Sequence, residues 1–258
     1  MNSQNEVRDF IEDGHAVYLR HLSIDSVIFG YHEQQLKVLL LKWKGGLWTL
    51  AGGFIRRDEP LQEAATRILY ERTGLADLFL HQFKIFGEPG RSVRTVEEIK
   101  NLEEICKATV PQSHWLLDRT LSIGYYAVTE YSKVTPHPDF FSESCQWWDV
   151  EELPPLIFDH RLITQEALKA LRVNIYHQPI GFNLLPEKFT LPEIHELYET
   201  ILGKKLDRRN FPKKLLSLGI IKKLAERRKI GAHRSPFLYK FDKKKYDKAL
   251  SEGVVLAF

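Results

Sequence analysis

Residues 51–75, AGGFIRRDEPLQEAATRILYERTGL, constrain the fold of this chain more than any other stretch. Gly52 and Gly53 follow a short strand-like run, Leu47-Trp48-Thr49-Leu50, and form a turn. Pro60 suits the first turn of a helix, where its missing N–H costs nothing. Leu61, Ala64, Ala65, Ile68 and Leu69 then recur at helical spacing, and Gly74 is a good C-terminal stop. The segment therefore reads as strand, glycine turn and amphipathic helix, whose apolar side needs a partner surface.

Flanking runs supply that surface. Residues 23–30 and 35–42 read as strands joined by a polar turn, and 78–86, 121–129 and 146–150 as three more. Residues 161–175 form a helix. The order is three strands, helix, three strands, helix, which predicts an α+β sandwich. Between strands, Val96, Ile99, Leu102 and Ile105 mark a helical excursion within 93–118. It is expected to be a surface insertion that packs locally, with a lid or a partner contact as the alternatives.

The 258 residues exceed one average domain, so two are expected. Charge divides along the same line. Residues 181–258 hold 18 Lys/Arg against 9 Asp/Glu, whereas 1–180 hold 19 against 25. A compact basic tail on an acidic front points to a polyanion, against the blander reading of a solvated lysine-rich surface. The longest apolar runs are far too short for a membrane span, and the start, MNSQNEVRDFIEDG, lacks the pattern of a secretory signal. Two cysteines, Cys106 and Cys145, with no Cys/His cluster at zinc spacing, suggest a cytoplasmic protein without disulfides, metal or cofactor.

In the tail, Thr190 and Glu193 have capping-box spacing, Leu191, Ile194, Leu197, Tyr198 and Ile201 make an apolar face, and Gly203 ends the helix. Asp207 is placed as the cap of a second, basic helix running through Leu218. Two helices about four residues apart have helix-turn-helix spacing. Runs 220–224 and 237–241 could pair as strands, with the basic loop 227–235 as a wing. Pro212 falls at about the fifth helical position, so the second helix should start later or bend.

Residues 53–75 resemble a Nudix box, the motif of Mg²⁺-dependent hydrolases of nucleoside diphosphate derivatives. Gly53, Glu59, Arg67, Leu69, Glu71, Gly74 and Leu75 match it, while Ile68 and Arg72 stand where it has carboxylates. Positions 68, 71 and 72 lie at i, i+3 and i+4, so in the intact motif three carboxylates converge to hold hard cations. Isoleucine offers no ligand and arginine repels a divalent ion. Hydrolysis is therefore not expected, and Glu63, Arg67 and Glu71 read as an intrahelical ion-pair ladder.

The wider chain resembles the Nudix-related transcriptional regulators, through Tyr125-Tyr126-Ala127, Leu153-Pro154-Pro155-Leu156-Ile157-Phe158-Asp159-His160, Phe182-Asn183-Leu184-Leu185-Pro186 and Arg208-Arg209-Asn210-Phe211. The resemblance implies a Nudix-like α/β/α sandwich followed by a winged helix-turn-helix, in a homodimer that reads double-stranded DNA at an inverted-repeat operator. It implies an effector, ADP-ribose or L-arabinose; the run Ile180-Gly181-Phe182-Asn183-Leu184-Leu185-Pro186 looks closer to the sugar branch, so an arabinose-like pentose is expected. The expected division is an N-terminal extension at 1–20, an effector domain at 21–160, a connecting helix and linker at 161–186, the DNA-binding domain at 187–248 and a tail at 249–258.

Candidate effector-binding residues are Gly52, Gly53, Arg56, Arg67, Glu71, Arg119 and Tyr125. Candidate DNA-binding residues are Arg208, Arg209, Asn210, Lys213, Lys214, His233, Arg234 and Ser235. Arginine and asparagine suit bidentate base contacts and lysine suits phosphate. Arg234 before Ser235-Pro236 resembles the family's wing tip, which enters a minor groove. Lys243, Lys244 and Lys245 read as solvated surface. The alternatives are a working Mg²⁺-dependent hydrolase with an appended nucleic-acid-binding domain, favoured by the retained Glu59 and Glu71, or a tail that binds protein.

Overall fold

A computed structural model describes residues 3–76, 78, 80–91, 93–107, 109–133, 142–178, 180–228 and 235–252. The chain divides into two units: Met1–Phe29, Lys37–Ala127 and Val134–Ala167 form the first, and Gly30–Leu36, Val128–Lys133 and Leu168–Phe258 the second.

The first unit is built on a seven-stranded sheet. Its strands are β1 (Tyr18–His32), β2 (Gln35–Trp43), β3 (Trp48–Thr49), β4 (Ala51–Arg56), β5 (Leu80–Phe86), β6 (Leu121–Glu130) and β7 (Ser142–Asp149). The order is β3-β2-β1-β6-β5, with β4 also pairing β1 and β7 pairing β2. β4 runs antiparallel to β1, with Ile24 opposite Gly53 and Asp25 opposite Gly52. β1 is buried without interruption from Ile24 to Gly30, so both faces of the sheet are covered.

The helix of this segment forms as its sequence predicts, but Gly52 and Gly53 lie within β4, opposite Asp25 and Ile24, rather than in a turn, because pairing with β1 continues through them. Helix α2 (Leu61–Thr73) follows β4, and Gly74 closes it in the left-handed region at φ 70°. Ala64, Ala65, Ile68 and Leu69 pack on Ile24, Ile28, Leu39, Leu41, Ala51, Ile55 and Ile123. A Cβ on Gly53 would lie 3.1 Å from the Ile68 side chain, so the glycine lets helix and strand approach closely. Alternate strand residues Val27, Phe29, Val38 and Leu40 are buried on the opposite face.

The first 20 residues do more than extend the chain. Helix α1 (Ser3–Val17) packs against α3 (Val96–Cys106), whose start carries a full capping box between Thr95 and Glu98. Val7, Ile11, Leu102, Val110, Trp115 and Leu116 form a second, smaller core, joined by Phe10, Tyr18, Trp43 and Phe54. The 93–118 insertion thus buries the N-terminal helix. The spacing of Val7, Phe10, Ile11 and Gly14 carries the signal for α1.

The second unit contains β8 (Phe189–Thr190), α5 (Leu191–Leu202), α6 (Asn210–Ser217), β9 (Ile221–Arg227), β10 (Phe237–Phe241) and α7 (Lys243–Glu252), after the long helix α4 (His160–Asn174) that spans the divide. The three strands are antiparallel in the order β8-β10-β9. Thr190 and Glu193 make the expected capping box, and Gly203 ends α5 at φ 65°. Asp207 accepts the backbone N–H groups of Arg209 (2.9 Å) and Asn210 (2.7 Å). Helix α6 begins at Asn210, later than a cap at Asp207 would place it. Pro212 consequently falls within the first turn, where no partner for its nitrogen is lost. α7 was not foreseen; its buried Tyr246 packs on Phe182, with ring centroids 4.7 Å apart.

Ile68 is 1% exposed, so restoring the motif's carboxylate would insert a charge into the core. Ile68→Glu should destabilise the fold by about 3–5 kcal/mol. Denaturant unfolding of wild type and variant at neutral pH checks this; a stability change within about 0.5 kcal/mol would show that position 68 tolerates an acid.

Candidate effector site and DNA-contacting surface

Two hollows flank β4 in the first unit. A cavity of about 130 Å³ is lined by residues including Asp25, Gly52, Arg72, Arg91, Arg94 and His160. An open cleft of about 630 Å³ is lined by Asp9, Asp13, Tyr18, Arg56, Arg67 and Glu71 among others. Phe10, Gly53, Phe54 and Arg72 belong to both. Phe10 comes from α1, and Leu102 and Leu116 of the insertion also face the cavity, so the second core forms part of its wall.

Asp25 organises the cavity. Ser122 Oγ donates to its Oδ2 at 2.5 Å, His160 Nε2 lies 3.4 Å from Oδ1 and Arg91 Nη2 lies 3.5 Å from Oδ2. Burial alone would raise the carboxyl's pKa; His160, Ser122 and Arg91 outweigh it and hold the group below its ordinary 3.8. His160 Nδ1 accepts the Leu50 N–H at 3.1 Å and lies 3.1 Å from Thr49 Oγ1, which leaves Nε2 as the proton-bearing nitrogen toward Asp25. Arg91 grips Asp159 with two hydrogen bonds, of 2.9 and 3.0 Å, and donates to the Thr120 carbonyl at 2.8 Å. Gly52 has no alternative here, since a Cβ would sit 2.3 Å from Asp25 Oδ1.

The retained acids of the motif are engaged by arginines. Arg67 donates to Glu59 at 2.8 and 2.5 Å and to Glu71 at 2.8 Å, and reaches the Phe54 carbonyl at 3.0 Å. Glu59 also takes the Arg56 backbone N–H at 2.7 Å, and Glu71 takes the Arg56 side chain at 3.4 Å. The Arg67–Glu71 pair matches the expected ladder, but Arg67 takes its second acid from Glu59 in the preceding loop. These residues do not fit a divalent cation: both acids are committed to guanidinium groups, position 68 faces the core and position 72 is a cation. Arg72 Nε donates to the Gly52 carbonyl at 2.8 Å, and burial, only partly offset by Glu71, lowers its pKa to about 10.

The structure brings only some of the expected effector residues together. Gly52 and Gly53 line the cavity, while Arg56, Arg67 and Glu71 line the cleft. Arg119 and Tyr125 line neither. Arg119 donates to the Gly87 carbonyl at 2.6 Å, and Tyr125 is a core residue, 1% exposed. Asp25, Arg91, Arg94 and His160 were missed as site residues. An acid within the apolar run Ser-Ile-Asp-Ser-Val-Ile-Phe was the available signal for Asp25.

On the second unit, Arg208, Arg209, Asn210 and Lys213 are exposed at the start of α6, and Lys214 is half-buried. Phe211 and Leu215 anchor the opposite face, with the Phe211 ring 5.0 Å from that of Tyr198. Wing residues His233 and Arg234 lie outside the described residues. Ser235 is half-buried, and its carbonyl accepts from Arg227 at 3.1 Å. Several other tail cations are engaged locally: Lys222 pairs with Asp242, Lys188 with Glu226 and Arg228 with Glu193. Lys223 and Arg227 lie 3.5 and 3.8 Å from the Phe237 ring centroid.

A sandwich in which helix α2 follows strand β4, joined to a three-stranded winged helix, defines a Nudix-fold protein with a helix-turn-helix module. The chain belongs to the NUDIX domain family, which matches residues 19–171, and residues 181–241 match the NrtR DNA-binding winged helix domain. It is 26% identical over 234 residues to the ADPR responsive transcriptional repressor NtrR of Acinetobacter baylyi, covering 88% of this chain and 84% of that one. It is 24% identical over 152 residues to an ADP-ribose pyrophosphatase of Methanocaldococcus jannaschii, covering 57% of this chain and 73% of that one. The crystal structure of Shewanella oneidensis NrtR complexed with a 27mer DNA superposes with a TM-score of 0.67 at 27% identity, over 88% of this chain and 95% of that one. Among the described residues, no helix is long and apolar enough to cross a membrane.

Because the folded Asp25 carboxyl titrates below 3.8, the unfolded chain takes up this proton first as pH falls. The carboxylate's contribution is therefore complete above about pH 5 and is lost as pH drops through 3.8 and lower. Asp25→Asn should lower stability at pH 7 by about 1–3 kcal/mol. Its deficit against wild type should shrink in acid; unfolding curves at pH 7 and pH 3.5 measure both.

Proposed function

We propose that this protein is a DNA-binding transcriptional regulator whose Nudix-like unit binds an effector without hydrolysing it. The observation that carries the reading is the exposed row Arg208, Arg209, Asn210 and Lys213 at the start of a helix anchored by Phe211 and Leu215. Side chains at the start of a recognition helix reach base edges and phosphates together. The DNA-bound Shewanella oneidensis protein, similar over 88% of this chain, supports the same module use. A homodimer on an inverted-repeat operator is the arrangement that suits such a module, and repression is the sign carried by the Acinetobacter baylyi relative.

The effector we infer is ADP-ribose. The sugar expected from the run at 180–186 gives way here, because the curated relative of matching length is described as ADPR responsive and a relative of the first unit acts on ADP-ribose. The cationic lining of the cavity also suits a diphosphate better than a neutral pentose. Binding that favours one state of the regulator would then alter operator affinity by linkage.

A second reading, hydrolysis of ADP-ribose, draws on the retained Glu59 and Glu71 and on the pyrophosphatase relative. It requires those acids to leave their arginine partners.

Selection of sites from random double-stranded DNA, with and without ADP-ribose, tests the regulator reading. The expected result is an inverted repeat whose affinity changes at least about tenfold with ligand. Arg208→Ala with Arg209→Ala should weaken binding by about 10- to 100-fold and reduce its salt dependence. No sequence preference, or turnover of ADP-ribose with Mg²⁺ that Glu71→Ala abolishes, would overturn it.

A further inference from the structure

We propose that Lys223 and Arg227, gathered on the ring of Phe237, form a phosphate clamp on the β9–β10 hairpin that grips the backbone of double-stranded DNA beside α6. The inference rests on the reading of the second unit as a DNA-binding module. It adds to that module a contact that carries affinity without sequence information.

Three observations carry it. The first is charge. The other charged side chains of residues 221–228 are all matched. Lys222 meets Asp242 at 2.7 Å, Glu226 meets Lys188 through both oxygens at 2.9 and 2.7 Å, and Arg228 meets Glu193. Among the described residues, no carboxylate lies within ion-pair reach of Lys223 or Arg227, and Arg227 donates to the neutral Ser235 carbonyl at 3.1 Å. Lys223 Nζ and Arg227 Cζ lie 3.5 and 3.8 Å from the Phe237 ring centre, so at most about 7 Å separates them. The ring attracts both cations but has no net charge, so two like charges remain side by side. An anion laid across them relieves that repulsion.

The second is register. Tyr239 stands opposite Lys223 and Phe237 opposite Arg227, so β9 runs two residues longer than β10 between these pairs. Unbroken pairing would have set Ala225 across from Phe237. The bulge therefore brings a second cation to the same ring. Lys223 and Arg227 are exposed while Phe237 is half-buried, so the fold holds the ring and the ring holds the cations toward solvent.

The third is position. Ile221 and Lys223 share one face of β9. Ile221 is buried opposite Phe241, and Tyr239 is buried opposite Lys223, so this face covers the core of the unit. Helix α6 lies against the same core through Phe211, whose ring is 5.0 Å from that of Tyr198. The clamp thus extends the helix-facing side of the sheet beyond the core, on the side that bears α6. A duplex seated on the exposed start of α6 carries its phosphates along that side, and their regular charge suits a pair of cations. β9 is also an edge strand, where lysines commonly prevent pairing between molecules. That role needs charge but neither the bulge nor the ring.

Fluorescence anisotropy of the full chain over a salt series, with the duplex selected from random DNA and with a scrambled duplex of equal length, tests the inference. Lys223→Gln with Arg227→Gln should weaken both duplexes by the same factor, at least about tenfold, and reduce the slope of log K against log salt by about 2. Lys240→Gln with Lys244→Gln removes the same charge elsewhere on the unit and should change affinity less than about threefold. Phe237→Leu keeps both cations but should weaken binding at least about threefold, while Phe237→Tyr, which retains the ring face, binds as wild type. Melting temperatures without DNA establish that the variants fold. A folded Lys223–Arg227 variant that binds like wild type, or loses no more than the Lys240–Lys244 control, overturns the inference. So does a loss confined to the selected duplex, which would mean base readout, or wild-type binding by folded Phe237→Leu. Failure of wild type to bind either duplex would overturn the DNA-binding reading and the clamp together, whereas the outcomes above overturn the clamp alone. Should the double variant fail to fold, Lys223→Gln alone decides, with an expected slope reduction of about 1.

Discussion

The carboxylate of Asp25 is the point on which the first unit's site depends. It sits within the sheet on β1, where an ionised group is costly unless every lone pair is met. β6 meets it with Ser122, α4 with His160, and the loop after β5 with Arg91. On the fourth side stands Gly52, whose missing Cβ leaves the 2.3 Å that the carboxylate oxygen occupies. His160 in turn accepts the Leu50 N–H, which fixes the junction between β3 and β4. One charged group therefore ties strand pairing, helix placement and that junction together, and a buried network of this kind rigidifies only when fully satisfied.

Around that centre, the motif's retained acids are held in ion pairs. Arg67 bridges Glu59 and Glu71, so the loop before α2 and the helix itself are stitched by one guanidinium. Burial of Arg67 is partial and Glu59 is held low by it, so the pair is structural in effect. Ile68 lies inside the apolar cluster and Arg72 is bonded to the β4 backbone.

Much of the fold could be read from local spacing. The helix at 61–73, its glycine stop, the capping box at Thr190 and Glu193, and the strand pair at 221–227 and 237–241 all follow patterns contained in a few neighbouring residues. Less of the site could. Arg119 and Tyr125 looked suitable by type and neighbourhood, yet one caps a loop carbonyl and the other fills the core. Arg91 and Asp159, 68 residues apart, meet in a two-bond pair that no local pattern announces. The insertion was legible as apolar spacing; the N-terminal helix was read only as an extension, and that the two pack together was not legible.

Taken alone, the amino-acid order marked the helix α2 and its glycine stop, the capped helix α5, most strands, a basic tail and the absence of carboxylates at positions 68 and 72. These are properties of neighbouring residues and of composition, so they need no knowledge of what lies opposite. Tertiary structure decided which charges meet, which glycine makes room for Asp25, and that Arg72 borders both hollows. Those outcomes depend on contacts between residues far apart in sequence, where burial sets the cost of every unpaired charge and only the folded chain shows which pairings relieve it.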